Sequence, residues 1–187
     1  MALGDFKGKI TLVYGSAWVG KTTWVLSQLK EAKEKVLWLD FDRNFPVLQS
    51  AKQNKIKMSY RSGVTFGDLF SYLDSAKPEE YDVVVVDSLA SLLGFLKTKL
   101  GNTIKTAEVS ETLQEKLFRK LRKFGTVFVI THNSLIGNNP QIAQSGLRHV
   151  SVLVKVSNKN GKRVVSIQRR KALENPKFEE EGKNGKK

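Results

Sequence analysis

Residues 15–22 read GSAWVGKT, a G-x-x-x-x-G-K-[S/T] spacing set between an apolar run, Lys9–Tyr14 (KITLVY), and a helical segment beginning at Lys21. Glycines at both ends let such a loop curl with its N–H groups inward, while the following helix turns its positive end to the same point. Gly15 and Gly20 supply the curl, with Ser16, Ala17, Trp18 and Val19 between them. Lys21 reaches the β- and γ-phosphates of a nucleotide, the Thr22 hydroxyl is placed for Mg²⁺, and Thr23 follows in the first helical turn. ATP and Mg²⁺ are the cofactors this predicts. Trp18 is bulky for such a loop and is better suited to touching a neighbour than a phosphate. The competing reading, a chance glycine–lysine turn, lacks an account of the strand and helix on either side.

The rest of the chain supplies what that loop needs. Strand and helix patterns alternate, which predicts an α/β fold with a mostly parallel central sheet flanked by helices. After the helix Lys21–Ala32, strands are expected at Val36–Asp40, Ile56–Tyr60, Tyr81–Asp87 and Thr126–Thr131, with helices near Pro46–Lys52 and Phe66–Ala76. Four consecutive valines in Tyr81–Asp87 are too apolar to alternate, so this strand belongs at the centre of the sheet. Val109, Leu113, Leu117, Leu121 and Phe124 recur at helical spacing as a core stripe, and Gly125 ends that helix. Asn133–Gly146 is polar and glycine-containing and is expected to be mobile. Val150–Val156 and Arg163–Arg169 around Asn158–Lys162 (NKNGK) predict a C-terminal antiparallel hairpin. The chain is expected to form one domain over residues 1–173, with 174–187 a polar tail expected to be disordered.

Asp87, at the end of the valine strand, is the carboxylate that an ATPase needs beside its phosphate loop to hold Mg²⁺; alone it would read as a helix cap. With no cysteine, catalysis must use oxygen and nitrogen groups. Neither a membrane span nor a signal peptide is visible, and a soluble, cytoplasmic protein is expected. A formal charge of +14 fits a phosphate-rich partner as well as a lysine-rich, solubilising surface of a heat-adapted protein.

These landmarks together, GKITLVYGSAWVGKTT, VLWLDFDRNF, VVVVDSLASLL, Thr131-His132-Asn133 and GKRVVSIQRRK, resemble the RecA/RadA-type recombinase ATPases over nearly the whole chain, and most of all the short archaeal RadA paralogues of the RadB kind. The resemblance implies a RecA-like P-loop core and a weak, DNA-dependent ATPase acting as an accessory factor in homologous recombination and DNA repair. With the core opening the chain, it implies a core-only paralogue. The family's second strand ends in Asp-x-Glu, whose glutamate activates water; Asp42 stands at that place, one methylene shorter, or is an ordinary loop carboxylate. The family's Asn-Gln γ-phosphate sensor is replaced by His132-Asn133, which could instead cap the sheet. Arg169, Arg170 and Lys171 resemble residues that recombinases pass across a subunit interface to a neighbour's γ-phosphate, implying a homo-oligomer; a solvated strand end is the alternative.

By position, DNA contacts fall after Asp87, at Lys97, Lys99 and Lys105, and around residues 134–146. The charge for the second region comes from residues C-terminal to it, Arg148, Lys155, Arg163 and Arg170 among others, with no acidic residue between Arg148 and Lys171. Binding of this kind favours single-stranded DNA irrespective of sequence. Two other functions stay open: an ATP-binding regulatory module that docks another recombinase or repair protein without turnover, and a KaiC-like single ATPase domain.

Overall fold

A computed structural model describes residues 3–30, 35–43, 46–134 and 139–170. Seven strands form one sheet: β1 (Ile10–Gly15), β2 (Val36–Asp40), β3 (Met58–Ser62), β4 (Val83–Asp87), β5 (Thr126–His132), β6 (Val152–Lys159) and β7 (Lys162–Arg169). Their spatial order is β3-β2-β4-β5-β1-β6-β7, parallel throughout except for the antiparallel β6–β7 pair. The valine strand β4 is central, and each of its five residues is buried. Strand β3 begins two residues later than the apolar pattern placed it.

Alternation along the strands sends side chains to two cores. Leu12, Leu39, Val84, Val86 and Val129 pack beneath α3 (Phe66–Ser75), α4 (Leu89–Leu100) and α5 (Ile104–Leu121). Val13, Trp38, Val85, Phe128 and Val154 pack on the other face with Trp24, Val25 and Leu29 of α1 (Lys21–Leu29) and Val47 of α2 (Pro46–Gln53). Both faces are therefore covered, as parallel sheets require. Helix α3 is started by a capping box between Thr65 and Asp68, and α4 and α5 by Ser88 and Thr103. The hairpin turns on two residues, Asn160 and Gly161, both with positive φ (53° and 75°), the conformation that matches strand twist.

The core stripe on α5 is deeper than its leucines imply. Leu117 and Leu121 are buried, Val109 and Leu113 half-buried, and Phe118 and Gln114 join the interior; the helix ends at Leu121, with Phe124 buried beyond it. Gln114 also ties down the described residues of Asn133–Gly146, a segment expected to be mobile. Its Oε1 accepts a hydrogen bond from Ala143 N (2.9 Å), Gln141 N donates to His132 O (2.8 Å), and Thr131 Oγ1 donates to Gln141 O (3.1 Å). A bridge pairs Asn133 with Pro140, and a short helix, α6 (Gln144–Leu147), seats Gly146 so tightly that a Cβ there would lie 3.0 Å from the Phe118 ring. The described part of the segment is thus docked on α5; residues 135–138 lie outside the described residues, as do Lys171 and the 174–187 tail.

Where α5 meets α6, Glu115 accepts from Arg119 (2.7 Å) and Arg148 (2.8 Å) and faces the buried His149 ring (3.2 Å), itself stacked on Phe118. Burial pushes the Glu115 carboxyl up, but the hydrogen bonds from Arg119, Arg148 and His149 outweigh it and hold it at about 2. A carboxyl depressed on folding contributes stability that is complete above its unfolded value and is lost as pH falls through the folded one. Glu115→Gln is expected to remove this contribution, about 1–2 kcal/mol after solvent screening. Its urea midpoint should lie below wild type at pH 7, and the two should converge as pH falls from about 4.5 towards 2; parallel curves over that range would refute the role.

Candidate active site

Parallel strands bring the ends of β1, β2, β4 and β5 to one edge of the sheet, where α/β folds place their ligands. The register sets Asp40 beside Asp87 and Gly15 beside His132. Gly15 opens the loop at a position that cannot hold a larger residue, because a Cβ there would lie 2.1 Å from the Val156 carbonyl oxygen. Gly20, at φ 89°, precedes the first turn of α1 in the left-handed region that glycine favours.

Lys21 is buried, and its Nζ donates to Gly15 O (3.1 Å) and Ser16 O (2.7 Å), closing the loop on itself. Burial lowers its pKa, while the charges of Asp87 and Asp42 support the ammonium form. One residue on, Thr22 Oγ1 donates to Asp87 Oδ2 at 3.0 Å, joining α1 to β4 across the intervening strand. The other Asp87 oxygen, Oδ1, is buried without a hydrogen-bond partner among the described residues. Burial, then repulsion by Asp42, push this carboxyl up to about 8 against the pull of Thr22, and Lys21 also lowers it.

Asp42 emerges on the exposed turn after β2, where its N–H also donates to Asp87 O (3.3 Å) and its neighbours position it. Its Oδ1 accepts from Ser88 Oγ (2.8 Å) and from Ser91 Oγ, and its backbone N–H donates to Asp40 Oδ1 (2.9 Å). Asp40, fully buried, takes a second hydrogen bond from the Tyr60 hydroxyl on β3. Burial, then that bond, push the Tyr60 hydroxyl above the ordinary phenol range. The sequence left Ser88, Ser91, Asp40 and Tyr60 without a role; the three-residue step from Ser88 to Ser91, which puts both hydroxyls at the start of α4, was the available signal. His132 stands half-buried at the end of β5, kept neutral by burial and by the Lys21 charge. Asn133 Oδ1 is buried without a hydrogen-bond partner among the described residues.

Lys21, Thr22, Asp87, Asp42 and His132 are therefore gathered at one edge of the sheet. The basic residues are dispersed. Lys97 and Lys99 on α4 and Lys105 on α5 are exposed at the corner between those helices, beside exposed Leu100 and Ile104. Arg148 is held by Glu115, Lys155 lies opposite Ser166 on the hairpin, and the Arg170 N–H donates to Ser151 O. Arg163 packs against Gly20 of the phosphate loop itself. Arg169, paired with Asp5 at 4.0 Å, is level with Thr11, four residues back from Gly15.

The residues fit a nucleotide and its cation. A ring of loop N–H groups needs the two glycines just described, and Asp87, bonded to Thr22 through Oδ2, has its Oδ1 buried without a hydrogen-bond partner among the described residues. Among the described residues no group of three or more His, Asp or Glu forms a metal site, so a cation here depends on phosphate oxygens together with Thr22 and Asp87. Trp18, at φ 63°, is fully exposed on the loop, whereas Trp24 and Trp38 are buried. Iodide quenching of tryptophan emission hence reports mainly Trp18, and saturating MgATP is expected to change it; an unchanged quenching slope would mean that the bound nucleotide leaves Trp18 open to solvent.

Among the described residues no helix is long and apolar enough to cross a membrane. Comparison with curated proteins gives no match. Among solved structures, the KaiC-like protein PH0186 from the hyperthermophilic archaeon Pyrococcus horikoshii OT3 is similar, with a TM-score of 0.61 at 16% identity, covering 87% of this chain and 79% of that one. That likeness identifies the RecA-like fold. A family model described as AAA domain matches residues 7–131, from before β1 into β5, and so spans the phosphate loop, Asp42 and Asp87. A match over well over half of the 187 residues, on a RecA-like P-loop ATPase fold, means that the chain belongs to the AAA domain family.

Proposed function

We propose that the chain is a Mg²⁺-dependent ATPase of low turnover that binds single-stranded DNA and serves as an accessory factor in homologous recombination and repair, in the manner of a short archaeal RadA paralogue. The observation that carries the nucleotide chemistry is the Thr22–Asp87 hydrogen bond, with Lys21 buried beside it. Bound MgATP would supply an electrophilic γ-phosphorus with its charge partly neutralised. Lys21 then offsets charge growing on the transferring group, and Asp42, with Oδ1 held by two serines, has Oδ2 available to take a proton from the attacking water. His132 is neutral and able to donate one hydrogen bond to a phosphate oxygen.

The net charge of +14 and the exposed Lys97, Lys99 and Lys105 support the DNA reading. Arg169 lies roughly 13 Å along the sheet from its own phosphate loop, on the edge strand, where a neighbouring copy's nucleotide is its natural target. The likeness to a KaiC-like protein favours a second reading, a KaiC-like single ATPase domain without DNA affinity. ATP turnover measured with and without single-stranded DNA, at 50 and 200 mM salt, separates them. Stimulation that fades with salt supports the first reading, and DNA-independent turnover the second. No nucleotide binding at millimolar ATP would sink both.

A further inference from the structure

We propose that Arg163 is a nucleotide-binding residue acting within its own chain, set over the phosphate loop on the side away from Asp87 to hold the α- and β-phosphates. This rests on the ATP-binding reading above. The hairpin makes the placement possible: β7 returns antiparallel with Arg163 opposite Asn158, two residues beyond Val156, whose carbonyl packs on Gly15. Alternation puts Arg163 on the same face of β7 as Val165 and Ile167, and those two pack into the core that contains Trp24 and Val25 of α1. The guanidinium thus follows them to the start of that helix. A Cβ on Gly20 would lie 2.8 Å from Arg163 Nη2, 2.9 Å from Nε and 3.0 Å from Cζ, so the guanidinium rests on the loop.

Arg119, Arg148 and Arg169 each have a carboxylate partner, whereas none of the described carboxylates pairs with Arg163. Arg163 is exposed on β7, so its donors are open to an anion seated at the start of α1. Two parallel N–H donors match two phosphate oxygens. The carboxylates Asp42 and Asp87 occupy the β2–β4 flank, which suits the cation and the γ-phosphate; Arg163 arrives from the β6–β7 flank, leaving it the inner phosphates.

Titration of the full chain with fluorescent N-methylanthraniloyl ADP and ATP in Mg²⁺ tests the assignment. Arg163→Ala should weaken both nucleotides by the same factor, about tenfold or more, and Arg163→Lys by less, with DNA affinity unchanged. Unchanged or tighter nucleotide binding would overturn it, the latter making Arg163 a plug. A loss confined to ATP would move the contact to the γ-phosphate and overturn the assignment to the inner pair. Should Arg163→Ala misfold, Arg163→Gln, which keeps the stem and loses the charge, carries the same expectation. Wild-type protein that binds neither nucleotide would fail the ATP reading itself, whereas binding lost in Lys21→Ala and unaffected in the Arg163 variants would fail this inference alone.

Discussion

Lys21→Ala is expected to weaken MgATP binding about a hundredfold, which corresponds to ~2.7 kcal/mol, and to reduce turnover to background. A charge-assisted hydrogen bond to a phosphate is worth about 1.5–3 kcal/mol. The loss here is at the upper end because Lys21 has two tasks. Its ammonium is buried, where screening by water is weak, and it also donates to Gly15 O and Ser16 O, bracing the curl that aims the loop N–H groups. Removing it leaves Asp87 and Asp42 without their nearest compensating cation, so repulsion at the site rises as well. Calorimetric titration reads the effect directly. A Kd within threefold of wild type would remove the phosphate loop from the site.

The order of elements and the centre of the sheet were legible because local patterns and tertiary needs agree. A G-x-x-x-x-G-K-T loop demands a strand before it and a helix after it, and four valines in β4 can be buried only between two covered faces. The hairpin turn was legible for the same reason, since Asn160-Gly161 tolerates positive φ. The segment after β5 was not. Its polar composition says loop, and its order comes from Gln114, twenty-nine residues away, and from the absence of a side chain at Gly146. Long-range partners of that kind leave no local periodicity to read.

The same division runs through the site. Lys21, Thr22 and Asp87 are readable because their spacing and strand ends are fixed by the chemistry of a phosphate loop. The supports of Asp42 come from three elements, Ser88 and Ser91 from α4, Asp40 from β2 and Tyr60 from β3, and only the sheet order β3-β2-β4 makes them neighbours. Arg163 was read by charge alone, as one of a run of basic residues. Antiparallel pairing sends Arg163 to the phosphate loop while Arg169, six residues on, is carried to the opposite end of the sheet.

Asp42→Asn is expected to lower kcat by about 10²–10³ while leaving the affinity for MgATP within about twofold of wild type. Asparagine is the informative replacement because its Oδ1 can still accept from Ser88 and Ser91 and its backbone can still donate to Asp40, so the geometry survives and only the capacity to take a proton is lost. Asp42→Glu keeps that capacity and adds the methylene by which this chain falls short of the recombinase pattern it resembles. If the reach of the shorter side chain limits turnover, the glutamate variant should be faster than wild type, and the asparagine variant slow. Single-turnover measurement at saturating ATP separates the chemical step from product release. An equal loss in both variants, with affinity intact, would make Asp42 a positioning residue for Ser88 and Ser91, because a change in length would then cost as much as the loss of charge.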